Sequence, residues 1–204
     1  RLYLEIFNIK SKKIFDLIDA PVDEFKCWKS NLPICVKNSD FVIYSHPNLI
    51  KYLQDIQYKE HHYISNACDY QSFKNTNKRI GNRPYDFPNT DKPILGYYGA
   101  FSYWLDYDII KRYADSNKYH IVMIGGLIDN TIYNIRFVHP NITWLNHKPY
   151  DEIPYYLSWF DKCFLPFKKC ELTDYVNPCK YWEYLISGKN IITHNLSINS
   201  SNII

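Results

Sequence analysis

Short apolar runs alternate with stretches of helical spacing along most of the chain. Phe41-Val42-Ile43-Tyr44 reads as a strand ended by Ser45-His46-Pro47, and Leu49, Ile50, Leu53 and Ile56 then fall on one helix face. His62-Tyr63-Ile64 reads as a second short strand closing on Asn66-Ala67-Cys68-Asp69. Before Phe41 the pattern predicts one helix, around Asp23 to Val36. Residues 74–93 are polar and lack periodicity, with turn signals at Asn75, Asn77, Gly81, Asn82, Pro84, Pro88 and Asn89. They are expected to form a linker.

The pattern is more regular after that segment. Ile94 to Tyr98 is a strand ending at Gly99, and Leu105, Ile109 and Tyr113 mark one face of a following helix. Ile121-Val122-Met123-Ile124 is continuously apolar and ends in Gly125-Gly126, the mark of a parallel strand buried on both faces. Then come a strand from Ile142 to Leu145, a helix from Asp151 to Phe160 and a strand from Cys163 to Pro166, and after them a helix from Pro178 to Ser187 and a strand from Ile191 to Thr193. Such alternation predicts an α/β chain with a doubly wound, Rossmann-like parallel sheet, whose ligands sit at the carboxyl ends of the strands.

Composition narrows the classes without choosing a chemistry. With 204 residues, 46% hydrophobic and 22% charged, the chain can close a core, which excludes a disordered segment. The net charge of +3, from 24 basic against 21 acidic residues, is too small and dispersed for a nucleic-acid footprint, so no nucleic-acid partner is expected. The densest basic cluster, Lys10-Ser11-Lys12-Lys13, reads as a solvated loop. Cys27, Cys35, Cys68, Cys163, Cys170 and Cys179 form no C-x-x-C pair and are expected to be reduced thiols in a cytoplasmic protein. No apolar run approaches the ~20 residues that span a bilayer. The first residue is Arg1 and the only methionine is Met123, so the chain is expected to be a processed product or a piece of something longer.

Asn177-Pro178-Cys179-Lys180-Tyr181-Trp182-Glu183 carries the strongest chemical signal. Asn177 suits an N-cap and Pro178 the first helical position, which puts the cation of Lys180 in the first turn, against the helix dipole. A diphosphate on the helix N-terminus would remove the conflict, and Glu183 could then accept hydrogen bonds from ribose hydroxyls. A surface Lys180–Glu183 pair at i, i+3 explains the same spacing. On either reading Lys180, Glu183 and Ser187 share one stripe, with Cys179, Trp182 and Ile186 expected against the sheet. Gly99 stands where a strand turns into a helix, a place for close backbone approach or simply for a turn. Asp106 and Asp108 suit the dipole of the next helix but would repel a phosphate. His147-Lys148-Pro149 and the loop of Glu171, Thr173 and Asp174 lie on the same rim, as ligand contacts or as plain connections. His61-His62 point to opposite strand faces and are read as ordinary polar positions, so no metal is expected. No G-x-G-x-x-G, P-loop or G-x-S-x-G motif occurs.

Together these residues resemble the GT-B glycosyltransferases, in particular the retaining family 4. Asn66-Ala67-Cys68-Asp69 with Phe73 is similar to that family's N-G-V-D-x-x-x-F, and Val42-Ile43-Tyr44-Ser45-His46-Pro47-Asn48-Leu49 to the strand and S-x-x-L helix start before it. Gly96-Tyr97-Tyr98-Gly99-Ala100 follows in family order. So do Pro140-Asn141-Ile142 with Lys148-Pro149-Tyr150, and Asn177-Pro178-x-Lys180-x-x-Glu183-Tyr184-Leu185-x-x-Gly188-Lys189. Two positions depart from the family. Tyr175 stands where a glutamate precedes the ribose glutamate by eight residues, and Ser102, Tyr103 and Trp104 replace the usual basic residues after the glycine loop.

The resemblance implies that residues 1–73 are the end of an acceptor domain, 74–93 a linker and 94–204 a sugar-nucleotide donor domain. It implies donor contacts from Gly99, Ala100, Lys148, Glu171, Thr173, Asn177, Pro178, Lys180 and Glu183, with Glu183 on the ribose and Glu171 a substitute for the missing glutamate. It names no catalytic residue. The activity implied is hexosyl transfer, with retention, from a UDP- or GDP-linked sugar to a saccharide or lipid-linked acceptor, without cofactor or metal and with peripheral membrane association through parts outside this chain. Two alternatives stay open: a sugar-nucleotide epimerase of the same architecture, and a non-catalytic carbohydrate- or protein-interaction module derived from a transferase.

Overall fold

The hydrophobic runs become parallel strands. In the computed structural model, which describes residues 12–58, 60–128, 138–194 and 196, the chain divides into two units. Part of the Lys10–Lys13 cluster lies outside these residues.

Among the described residues, the first unit comprises 12–58, 60–66 and 170–177. Its sheet is β1 (Ile14–Leu17), β2 (Phe41–Tyr44) and β3 (His61–Tyr63), in that order and all parallel, with Ile14 opposite Phe41 and Val42 opposite His61. The sequence pattern missed β1, because Asp16 interrupts its apolar run. The single helix expected from Asp23 to Val36 is instead a 3-10 turn, Asp23–Trp28, followed by the short helix α1 (Leu32–Lys37). Pro33 in its first turn suits a helix start. The helix expected after Pro47 is a 3-10 turn, Pro47–Tyr52.

Residues 170–177 are tied into this unit by Asn177. Its side-chain amide donates to the Ser45 carbonyl and to Ser65 Oγ, both at 2.9 Å, while its own carbonyl accepts from the Asn66 amide at 2.6 Å.

Among the described residues, the second unit comprises 67–128, 138–169, 178–194 and 196. It opens with α2 (Tyr70–Phe73), whose N-cap Asp69 accepts hydrogen bonds from the N–H groups of Gln71 and Ser72. Next come β4 (Ile94–Tyr98), α3 (Tyr107–Asp115), β5 (His120–Ile124), β6 (Ile142–Leu145), α4 (Ile153–Ser158), β7 (Lys162–Leu165), α5 (Cys179–Ile186) and β8 (Asn190–Thr193). The five strands are all parallel in the order β6-β5-β4-β7-β8. Every residue of β4 and β5 is buried, as the unbroken apolar runs require.

The chain lays β4, β5 and β6 outward on one side, then returns to place β7 and β8 on the other. This is the doubly wound arrangement, and its crevice opens where β4 and β7 are neighbours. Gly96 on β4 meets the core closely, because a methyl group there would fall 2.2 Å from ring carbons of the buried Phe160.

Residues 74–93, expected as a linker, pack within the second unit. Their polar groups serve the α4 region: Ile80 N–H donates to Ser158 Oγ, Trp159 Nε1 to the Ile80 carbonyl and Tyr155 to the Asn82 carbonyl. Lack of periodicity here marks hydrogen-bonded irregular backbone. The helix expected from Asp151 to Phe160 begins as a 3-10 turn, Tyr150–Glu152, before α4.

Candidate functional site

At the carboxyl end of β4 the chain leaves the sheet at Gly99, whose φ of +136° disfavours a side chain. Its N–H donates to the Ile124 carbonyl at 2.9 Å, and Phe101 N–H donates to Gly126, so the loops after β4 and β5 are joined. Ala100 contributes its carbonyl, which accepts from the Tyr97 hydroxyl at 2.9 Å.

Lys180 fills the space that Gly99 leaves. A methyl group at Gly99 would stand 2.7 Å from Lys180 Cε and 2.9 Å from Nζ. The ammonium lies 5.5 Å from the ring centre of Tyr97 and 5.6 Å from that of Phe167, the residues flanking the β4–β7 crevice. Among the described residues it has no hydrogen-bond or ion-pair partner. Burial lowers its pKa, and the nearby Glu183 opposes that shift.

Lys180 sits in the first turn of α5. The N-cap is Pro178, in extended backbone, with no side-chain cap. This corrects the expectation for Asn177. The helix starts one residue later than expected, and the amide of Asn177 is engaged within the first unit.

The stripe of Lys180, Glu183 and Ser187 also turns out to face inward. Glu183 is 3% exposed and Ser187 is buried, whereas Cys179 is exposed and Trp182 and Ile186 are only partly covered. Spacing defines a stripe but not the side that is buried, and here Tyr184 takes the apolar role against the sheet.

Both carboxylate oxygens of Glu183 are engaged. Its Oε2 accepts from the Tyr98 hydroxyl at 2.5 Å and its Oε1 from the Tyr150 hydroxyl at 2.7 Å. Burial and the carboxylate raise the pKa of both phenols, which therefore remain donors. The sequence pattern singles out neither tyrosine as a site residue. The available signal was Tyr150 directly after Lys148-Pro149, on a strand-end rim.

Tyr98 and Tyr150 also line a cavity of about 410 Å³, together with Gly99, Gly126, His147 and Lys148. It lies at the carboxyl ends of β4, β5 and β6, as expected for a doubly wound sheet. Lys148 is paired with Asp86 at 2.5 Å, and its ammonium lies 4.9 Å from the Tyr156 ring centre. Burial works against its charge, but the hydrogen bonds to Asp86 and Tyr156 outweigh this and raise its pKa.

The structure thus gathers Gly99, Ala100, Lys148, Pro178, Lys180 and Glu183 in the second unit. Glu171, Thr173 and Asn177 belong to the first. Thr173 Oγ1 accepts from Cys170 N–H and donates to the Cys170 carbonyl, closing its own loop. Glu171 is exposed at the start of a 3-10 turn, Leu172–Asp174. Tyr175 is buried, with its ring 5.4 Å from Tyr52 and under the Lys51 ammonium at 4.2 Å. Asp106 caps α3 by accepting from Ile109 N–H. His62 pairs with Glu60 at 2.8 Å.

No protein-family profile matches the chain. Over 144 residues it is 26% identical to TuaH of Bacillus subtilis (strain 168), named as a candidate teichuronic acid biosynthesis glycosyltransferase; the match covers 68% of this chain and 35% of that protein. Among solved structures, Anabaena HepE in complex with UDP and glucose superposes with a TM-score of 0.62 at 15% identity, over 87% of this chain and 51% of HepE. Sucrose-phosphate synthase from Thermosynechococcus elongatus gives 0.61 at 14% identity, over 93% of this chain and 51% of the synthase. TarM gives 0.60 at 15% identity, over 98% of this chain and 40% of TarM. The chain therefore spans about a third of this curated relative, about half of HepE and of the synthase, and two fifths of TarM. No helix among the described residues is long and apolar enough to cross a membrane. These three structures are GT-B glycosyltransferases, and the chain shares their fold, a likeness supported by its sequence kinship with a bacterial protein named for the same class of reaction.

Proposed function

We propose that the chain is part of a glycosyltransferase that binds a nucleotide sugar through its second unit and transfers the sugar, with retention, to a saccharide or lipid-linked acceptor. The observation that carries this reading is Lys180: a half-buried cation with no hydrogen-bond or ion-pair partner among the described residues, beside a positive-φ glycine at the sheet's switch point. Such a cation wants an anion, and the uncapped first turn of α5 offers N–H groups to the same anion. A nucleoside diphosphate supplies the charge there, ribose hydroxyls for Glu183, and a base for the cavity between Gly99 and His147. HepE, which shares the fold, is described with UDP and UDP-glucose bound.

In the reaction itself, Lys180 and the helix N-terminus would hold the negative charge that develops on the leaving diphosphate. A rival reading, a non-catalytic carbohydrate- or protein-interaction module derived from a transferase, draws on Tyr175, a packed aromatic residue where the resemblance calls for a glutamate. The test of donor binding is calorimetric titration of the chain and its Lys180→Ala variant with UDP and GDP. Equal affinity in a folded variant overturns it. Product analysis of the longer protein with labelled donor separates transfer from binding alone.

A further inference from the structure

The two oxygens of Glu183 are held by hydroxyls in unlike settings. Tyr98, on Oε2, belongs to the central strand β4, is 6% exposed, and meets the Tyr184 ring edge-on at 5.1 Å and 86°. Tyr150, on Oε1, opens a 3-10 turn and is 54% exposed, with its ring 5.8 Å from that of Phe73. A carboxylate this deeply buried is costly unless its oxygens are bonded. The Tyr98 hydroxyl is locked, whereas the Tyr150 hydroxyl can be exchanged from the cavity side, because its ring has solvent to turn into.

Building on the donor-site reading above, we propose that Tyr150 is a placeholder for the ligand. Its hydroxyl occupies Glu183 Oε1 until a ribose hydroxyl of the incoming nucleotide displaces it. The exchange is one hydrogen bond for another, so a ribose hydroxyl gains little at Glu183 while the Tyr150 hydroxyl competes for it. Tyr150 thereby holds down the affinity of the empty site for a ribose-bearing ligand. Glu183 accepts in both states, and the phenol leaves without losing its proton.

The experiment titrates the 204-residue chain, its Tyr150→Phe variant and its Lys180→Ala variant with UDP and with 2′,3′-dideoxy-UDP. Tyr150→Phe takes the hydroxyl from one oxygen of the buried Glu183, so its melting midpoint is expected to fall modestly, while circular dichroism shows that the variant keeps the wild-type fold. Removing the competing hydroxyl should tighten UDP binding by about tenfold, the worth of one charge-assisted hydrogen bond no longer exchanged, and leave the dideoxy ligand unchanged. Unchanged or weaker UDP binding in Tyr150→Phe, or equal tightening of both ligands, overturns the placeholder. The donor site itself still stands in that case if Lys180→Ala loses affinity. Absence of UDP binding by the wild-type chain overturns both.

Discussion

Lys180 joins two demands that pull against each other. The fold partly buries its ammonium, lowering its pKa, and the nearby Glu183 offsets that burial only in part. Removing the side chain should cost the ligand a charge-assisted hydrogen bond of about 1.5–3 kcal/mol, so Lys180→Ala is expected to weaken UDP binding by roughly 10- to 150-fold by calorimetry. The pH dependence follows from the direction of the shift. With a folded pKa below the unfolded value of 10.5, the unfolded chain binds more protons in the window between the two. The charged lysine therefore costs stability below its folded pKa, and that cost is relieved as pH rises through the folded pKa toward 10.5. A bound diphosphate favours the charged form, so affinity should fall over that same rise in pH. Titrations at several pH values should show the fall in wild type and a smaller one in Lys180→Ala; parallel curves would show that Lys180 is not the titrating group.

The cation was legible in the sequence because a first-turn lysine conflicts with the helix dipole. The partners of Glu183 were not, since Tyr98 and Tyr150 lie 85 and 33 residues away and meet it only when the sheet closes. Asn177 misled because an asparagine before proline suits an N-cap, yet the extended backbone of Pro178 moved the helix start past it.

Among the elements, β4 and β5 were readable end to end, because burial on both faces leaves no polar interruption. β1 was not, with four residues and an aspartate among them. The place of β4 at the centre of its sheet depends on Gly96. Any larger residue there must displace Phe160, whose ring also stacks on Phe87 at 6.3 Å. Gly96→Ala is expected to destabilise the second unit by about 1–3 kcal/mol, the usual cost of overpacking a filled core. Urea denaturation followed by circular dichroism measures it. A midpoint equal to wild type would mean that Phe160 moves aside at no cost.

For the chain as a whole, the fold was legible from the alternation of strands and helices, whereas the membership of its units was not. Residues 74–93 looked like a spacer because hydrogen bonds to irregular backbone leave no periodic trace, and nothing local marks 170–177 as belonging with residues far upstream. The chain covers about half of the structures whose fold it shares. Orienting two substrates is worth roughly 7–11 kcal/mol of barrier, and a donor site alone forfeits most of it. The 204-residue chain is therefore expected to bind donor nucleotide but to transfer no sugar, in a radiolabelled-donor assay with mixed saccharide and lipid-linked acceptors. Robust transfer would place a complete active site within these residues.

The hydrogen bonds of Asn177 also bear on synthesis. Asn66 and Asn177 are 111 residues apart, and Ser45 and Asn177 are 132 apart. At about 5–20 residues per second, a ribosome needs roughly 6–22 seconds between making Asn66 and making Asn177. For that interval the ends of β2 and β3 wait without their asparagine, while β4 to β7 are already emerging. The unit that begins first is thus the one that finishes late, and a nascent chain stalled before residue 170 would present its three-stranded sheet with the Ser45 carbonyl and the Ser65 hydroxyl still lacking the Asn177 amide.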